Sequence, residues 1–308
     1  MTSPLRIGTR GSPLALAQAN ETLDRLARAH AGLAGSGAIE IIVIKTTGDQ
    51  IQDRTLAEAG GKGLFTKEIE DALQDGSIDL AVHSMKDVPT WLPEGLEIAC
   101  LLPREDPRDA FFSRTGGGLA ALPAGAVVGT AGLRRQAQIL ARRPDLRVVP
   151  LRGNVGTRLR KLEQGEVDAT LLALAGLRRL GLADKASAIM EPDEMLPAVA
   201  QGAIGIEIRT HDQATRALLA PLHCPATAAR VGAERALLTV LDGSCRTPIA
   251  ALARLDTDGT LTLDALVLSS DGKISFRAFR RGPVAEAVAM GRDAGQELKA
   301  QLPAGFFG

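Results

Sequence analysis

Cys245 sits in the polar run Asp242-Gly243-Ser244-Cys245-Arg246-Thr247-Pro248. Gly243 and Ser244 signal an exposed turn, and Arg246 favours the thiolate, the form that attacks an electrophile. Taken alone, the heptapeptide fits a covalent attachment point and an ordinary loop thiol equally well. Asp87 lies in Val82-His83-Ser84-Met85-Lys86-Asp87-Val88-Pro89, just past an apolar run and just before a proline. A carboxylate held there beside Lys86 could trade protons or stabilise a cation. The residues by themselves favour a plainer role, a loop cap or an ion pair with Lys86. His83 is expected to pack at its strand end rather than act as a base. No metal site is expected, because His223 and Cys224 are adjacent and have no third ligand nearby.

Cationic side chains make a stronger pattern. From Thr130 to Lys161 there are nine basic residues (Arg134, Arg135, Arg142, Arg143, Arg147, Arg152, Arg158, Arg160 and Lys161) against one acidic residue, Asp145. Arg134, Arg135 and Arg158 fall in the opening turns of expected helices, where the helix dipole favours anions rather than cations. Solvated surface residues would explain one such arginine better than three. Planar guanidinium forks match carboxylate or phosphate in bidentate pairs, so a ligand bearing several such groups is the simplest partner. Arg142 and Arg143 come late in their helix and there complement its dipole. Gly60-Gly61-Lys62-Gly63 looks like a phosphate loop but fails that pattern, with Leu56 at the first glycine position and Gly63 where Ser or Thr belongs.

These residues require elements to hold them. The first 220 or so residues alternate apolar runs with amphipathic stretches, as expected of an α/β fold with a largely parallel sheet. Strands are expected at 5–8, 40–45 and 78–83, and helices at 13–30, opened by Ser12 and Pro13, and 66–74. A second set follows, with strands at 126–129, 147–151 and 169–174 and helices at 133–142 and 155–164. The run 203–208 could return to the first sheet, giving two lobes around a cleft. In open α/β sheets ligands bind beyond the strands' carboxyl ends. Arg10, Ser12, Ser84, Lys86, Asp87, Thr130, Arg134, Arg135, Arg152 and Arg158 gather at such ends. After Pro221 the pattern changes to a helix at 226–241, strands at 249–253, 260–268 and 274–279, and a helix at 284–301. That is a small antiparallel α+β domain, with Cys245 in its first loop.

Composition narrows the partners. In 308 residues, 36 basic and 36 acidic side chains cancel, so no global field steers the chain to nucleic acid or an anionic membrane. Aromatics are 3% and tyrosine is absent, which removes the usual base-stacking platforms. The three cysteines are odd in number and far apart, the pattern of a reducing compartment. Met-Thr-Ser-Pro-Leu-Arg carries no apolar signal core, and no run of about 18 apolar residues follows. The expectation is a cytoplasmic protein that binds neither membrane nor nucleic acid.

The chain also resembles the porphobilinogen deaminase (hydroxymethylbilane synthase) family over essentially its whole length. The resemblance rests on several motifs in order: Arg6-Ile7-Gly8-Thr9-Arg10-Gly11-Ser12-Pro13-Leu14-Ala15, Gly60-Gly61-Lys62-Gly63-Leu64-Phe65, the run from Ala81 to Pro89, Leu133-Arg134-Arg135-Gln136, Leu151-Arg152-Gly153-Asn154-Val155-Gly156-Thr157-Arg158-Leu159, and Gly243-Ser244-Cys245. It implies two lobes like those of periplasmic binding proteins around a cleft, formed by 1–102 with 203–220 and by 103–202, plus a C-terminal α+β domain, 221–308. It implies a monomeric transferase that adds four porphobilinogen units head to tail to a dipyrromethane cofactor held on Cys245 by a thioether, with loss of ammonia. Water then releases hydroxymethylbilane, in porphyrin and heme biosynthesis. By the same resemblance Ser84, Lys86, Asp87, Thr130, Arg134 and Arg135 hold the cofactor, and Arg10, Ser12, Lys62, Arg152, Arg158 and Arg179 bind substrate or the growing chain. Asp87 would stabilise the azafulvenium-like cation left by ammonia and pass protons. Ala131-Gly132 and Glu58 depart from the family pattern. They put one or two cofactor hydrogen bonds and a second basic loop contact in question.

A two-lobed binding protein that grips a small anion without chemistry would use the same arginines. It gives no role to Cys245 or to a third domain.

Overall fold

The computed structural model describes residues 4–50, 63–243, 247–303 and 305–306. β1 (Leu5–Arg10) leads into α1 (Pro13–Ala29), which opens as its sequence dictates: Ser12 Oγ accepts the Ala15 amide at 3.2 Å, and Pro13 fills the first position. α1 buries Ala15, Gln18, Ala19, Thr22 and Leu26, one stripe at helical spacing. β2 (Ile39–Ile44), α2 (Thr47–Gln50), α3 (Lys67–Gln74), β3 (Leu80–Ser84) and β4 (Leu96–Leu101) follow. β5 (Asp109–Ser113), β6 (Val127–Gly129), α4 (Leu133–Arg142), β7 (Arg147–Val149), α5 (Val155–Glu163), β8 (Ala169–Ala173), α6 (Leu174–Arg179) and β9 (Ala188–Met190) make the next set. β10 (Ile204–Arg209), α7 (Gln213–Leu219), α8 (Pro225–Val240), β11 (Ile249–Leu255), β12 (Thr260–Leu268), β13 (Ser275–Pro283) and α9 (Ala287–Gln301) complete the chain.

Two units emerge. One holds the described residues up to 105 together with 203–228, and the other holds 106–202 and the residues from 229 onward. The first is built on the five-stranded sheet β2-β1-β3-β10-β4. One face packs Ile7, Leu80, Val82, Ile204, Ile206 and Ile208 against Ala19 and Leu26 of α1, while Ile69 and Leu73 of α3 cover Ile78 and Ala81 on the other. The alternation along β3 and β10 is the two-residue period of a strand buried on both faces.

The sheet is mixed, which corrects the expectation of a largely parallel one. β1 pairs in parallel with β2 and β3, but β10 runs antiparallel to both β3 and β4. The chain leaves after β4, and on its return β10 inserts between β3 and β4, running opposite to both. The second unit repeats the device in its sheet β7-β6-β8-β5-β9, where β5 is antiparallel to β8 and β9. Sequence periodicity also leaves β4, β5, β9, α6 and α7 unassigned.

In the second unit β11, β12 and β13 form an antiparallel sheet joined by tight turns with Gly259 and Gly272 at φ +83° and +74°. Ala137 of α4 and Leu196 share a core with Ala250, Leu252, Leu266 and Leu268, so this sheet backs the helix that carries Arg134 and Arg135. A Cβ on Gly272 would stand 2.5 Å from the Ala137 carbonyl oxygen and the Ala141 nitrogen. Only glycine tolerates both that approach and that φ.

Candidate functional site

In the first unit the carboxyl ends of β1 and β3 bring Arg10, Ser12, Ser84 and Asp87 around one pocket, which Leu14, Ala15, Gln18, Phe65, Thr66, Val82 and His83 also line. β1 ends at Arg10, and Ser12 caps the helix that follows. β3 ends at Ser84, and a single 3-10 turn, Met85–Asp87, then sets Asp87 at the mouth. Ser84 is held by the buried Gln18, whose amide Nε2 donates to its Oγ at 2.8 Å. The Arg10 guanidinium lies 4.1 Å from the centre of the Phe65 ring, a cation–π contact. Lys86 follows Met85 on the same turn and is half-buried. Expected here from sequence were Arg10, Ser12, Ser84, Lys86 and Asp87. Gln18 was missed, and its signal was a lone amide on the buried stripe of α1.

In the second unit Arg134 and Arg135 occupy the second and third positions of α4, as expected, and both are buried. Their common anchor is Asp109, at the start of β5 and fully buried. Arg134 Nη2 reaches Asp109 Oδ2 at 2.6 Å and Arg135 Nη2 reaches Oδ1 at 2.8 Å, while Gln201 Nε2 donates to Oδ1 at 2.9 Å. Burial alone would raise the Asp109 carboxyl, but the two guanidinium charges outweigh it and hold the group well below the usual carboxylate range. Burial pulls the Arg134 guanidinium below its ordinary value, with Asp109 opposing.

Two arginines share one carboxylate, so a positive charge is left over. Arg135 Nε and Arg152 Nη1 are buried without a hydrogen-bond partner. Buried donors of this kind carry a desolvation cost of about 1–3 kcal/mol each unless an acceptor meets them.

Thr130 is buried after β6 and its hydroxyl accepts the Gly132 amide at 3.2 Å, which ties down the Ala131-Gly132 turn. Arg158 lies one turn into α5, its Nε donating to the Gly153 carbonyl at 2.8 Å. Arg179 ends α6 and its Nη2 donates to the Gly202 carbonyl at 3.3 Å. Arg142 donates to the Asp193 carbonyl, and Arg143, which caps α4, pairs with Asp145 at 2.7 Å. Asp109 was missed from sequence. It stands 25 residues before Arg134, and its only signal is an acid opening the apolar run Ala110-Phe111-Phe112. Cys245, Lys62 and Glu58 lie outside the described residues. Among the described residues no group of three or more His, Cys, Asp or Glu side chains could hold a metal ion, and no helix is long and apolar enough to cross a membrane.

In the first unit the pocket sets Arg10 and two serine hydroxyls beside a carboxylate, and in the second the buried guanidinium groups suit anionic partners. Comparisons with known proteins point to one family. The family model "Porphobilinogen deaminase, dipyromethane cofactor binding domain" matches residues 5–217, and "Porphobilinogen deaminase, C-terminal domain" matches 228–300. A chloroplastic porphobilinogen deaminase of rice (Oryza sativa subsp. japonica) is 59% identical over 307 residues, 99% of this chain and 86% of the relative. The porphobilinogen deaminase of Paracoccus denitrificans is 59% identical over 305 residues, 99% of this chain and 96% of the relative. Among solved structures, an ancestral cationic amino acid solute binding protein is 14% identical with a TM-score of 0.42, over 71% of this chain and 88% of that one.

Proposed function

Because the chain belongs to the porphobilinogen deaminase family and has that activity in tetrapyrrole biosynthesis, with a domain that binds the dipyrromethane cofactor, we propose a division of labour among its residues. Cys245 carries the cofactor, which supplies a covalent primer for chain growth. Ser84, Lys86, Thr130, Arg134 and Arg135 hold the cofactor's carboxylates. Arg10, Ser12, Lys62, Arg152, Arg158 and Arg179 bind porphobilinogen, four units of which are joined head to tail before water releases hydroxymethylbilane.

Asp87 is the catalytic carboxylate. When the substrate's aminomethyl nitrogen leaves as ammonia, positive charge grows on the remaining carbon framework, and a carboxylate in a partly dry pocket stabilises it. The same group can take the proton that the attacking ring gives up. Neither step needs a metal ligand.

One observation carries the reading: among the described residues Arg135 Nε and Arg152 Nη1 are buried donors that no acceptor meets. Acetate and propionate groups supply the missing acceptors, and in bidentate geometry. We read the chain as three domains, 1–102 with 203–220, 103–202 and 221–308, acting as a monomer in the cytoplasm. The test is intact mass of the denatured chain beside Cys245→Ser. An added dipyrromethane mass on the first alone supports the reading, and an unmodified chain from porphobilinogen-making cells would overturn it.

A further inference from the structure

His83 and Glu207 meet in the middle of a sheet. They come from adjacent antiparallel strands, with Gly205 opposite His83 and Ala81 opposite Glu207. Those two small partners leave room for the larger pair, and a Cβ on Gly205 would already stand 2.0 Å from the Met85 sulfur. His83 Nε2 lies 2.9 Å from Glu207 Oε2, and the side chains are 5% and 0% exposed. Glu207 Oε1 is buried with no hydrogen-bond partner. Above them Glu70 of α3 is also buried; burial raises its carboxyl, the Thr66 hydroxyl opposes and the Glu207 charge adds to the rise.

Stability does not account for this arrangement. The layer around it is apolar, with Ile69, Leu73, Ile78 and Ala81. Apolar side chains of similar volume in place of a buried ion pair are often neutral or stabilising. What sets His83 apart is that it also lines the pocket that holds Asp87, Ser84, Arg10 and Ser12. The charged or titratable groups that face the imidazole or line the same pocket are Glu207 from β10, Glu70 from α3, Arg10 from β1 and Asp87 from its own turn.

We propose that Glu207 and His83 are a positioning pair for the deaminase reaction, in which Glu207 locks the imidazole with its proton on Nε2 and leaves Nδ1 as a second acceptor for the pocket that Asp87 also lines. An ionised carboxylate can only accept, so a nitrogen paired with it carries hydrogen whether the ring is neutral or cationic. Each addition starts from the protonated aminomethyl group, breaks its C–N bond and one ring C–H bond, forms one C–C bond, and releases ammonia and one proton, which depart together as ammonium. With His83 fixed, the proton that Asp87 takes from the ring can pass on to Nδ1, which leaves Asp87 ionised to face the developing cation. The inference rests on the reading that this pocket is where the chemistry occurs.

Glu207→Gln and His83→Gln, purified with the cofactor mass confirmed, test it. An amide at 207 can present N–H₂ to Nε2 and reverse the tautomer. The expected result is a kcat lowered at least ~10-fold, towards the ~100-fold scale of acid–base groups, with KM within about twofold. The pH profile of kcat should change, and the ¹⁵N spectrum of His83 in the folded Glu207→Gln holoenzyme should lose the Nε2–H tautomer. His83→Gln keeps a donor for Glu207, so it should retain the wild-type melting temperature while losing turnover and covers the case where Glu207→Gln does not fold. Unchanged kcat, or a loss with the wild-type pH profile and tautomer, overturns the pair. Near-normal turnover in Asp87→Ala would instead overturn the reading of the pocket itself.

Discussion

The two units hold anion-binding groups in opposite ways. In the first, Arg10 is half-buried, stacked on an aromatic ring, and opens on a pocket with a carboxylate at its mouth. In the second, Arg134 and Arg135 are buried and tied to a carboxylate that is itself fully buried. A cation at the surface keeps its water and adapts at little cost, whereas a buried cation must be positioned in advance. On the proposed reading the comparison separates chemistry from grip: Asp87 would stand where charge changes during turnover, and Asp109 where it must not.

Loss of Asp87 should have the largest effect. Asp87→Ala is expected to fold normally and lose turnover by at least ~100-fold, the scale of a missing acid–base group, and near-normal rates in a well-folded sample would collapse the contrast. Asp109→Asn should act on stability instead. Two buried guanidinium groups would lose their common anion, at a cost of about 3–5 kcal/mol in urea unfolding.

The pH dependence sharpens that point. The Asp109 carboxyl is depressed in the folded chain, so its contribution is complete above the unfolded value near ~4 and is lost as pH falls further. Asp109→Asn should therefore flatten the acid limb of the stability curve; an acid limb identical to wild type would sink this assignment.

Arg152→Leu or Arg158→Leu removes a charged hydrogen bond worth about 1.5–3 kcal/mol, so elongation should slow about 10- to 100-fold. Mass spectrometry of enzyme–substrate intermediates would show shorter chains accumulating, and undiminished tetrapyrrole formation would count against the clamp. A smaller effect is expected of Phe65→Leu, which forfeits about 0.5–1 kcal/mol of cation–π contact, seen as a two- to fivefold rise in KM. Smallest of all is Glu70→Gln. The raised Glu70 carboxyl favours the folded state below its unfolded value and loses that advantage as pH rises through its folded value. The variant should melt slightly higher than wild type at pH 8 and show no such gain at pH 4.

Much of the arginine set was legible because a cation in the opening turn of a helix breaks a local rule, and several breaches in one stretch need a common cause. Ser12 and Pro13 announced α1 for the same reason, since cap chemistry is local. Asp109 was not legible because its meaning depends on residues that lie far along the chain. The pairing of His83 with Glu207 spans 124 residues and depends on the direction of β10, which no periodicity encodes. The helix α4 was marked residue for residue, whereas β5 and β9 were not, because short strands in a mixed sheet have no pattern apart from their neighbours.

β10 also bears on manufacture. It is a central strand, lodged between β3 and β4, yet it is made after both. At roughly 5–20 residues per second, the ribosome needs about 5–20 s to pass from the end of β4 at Leu101 to the start of β10 at Ile204. During that interval the facing edges of β3 and β4 are bare strands, the kind of surface that recruits other chains. Overexpression is therefore expected to fail first by aggregation of the nascent N-terminal half, a loss that added chaperones should reduce.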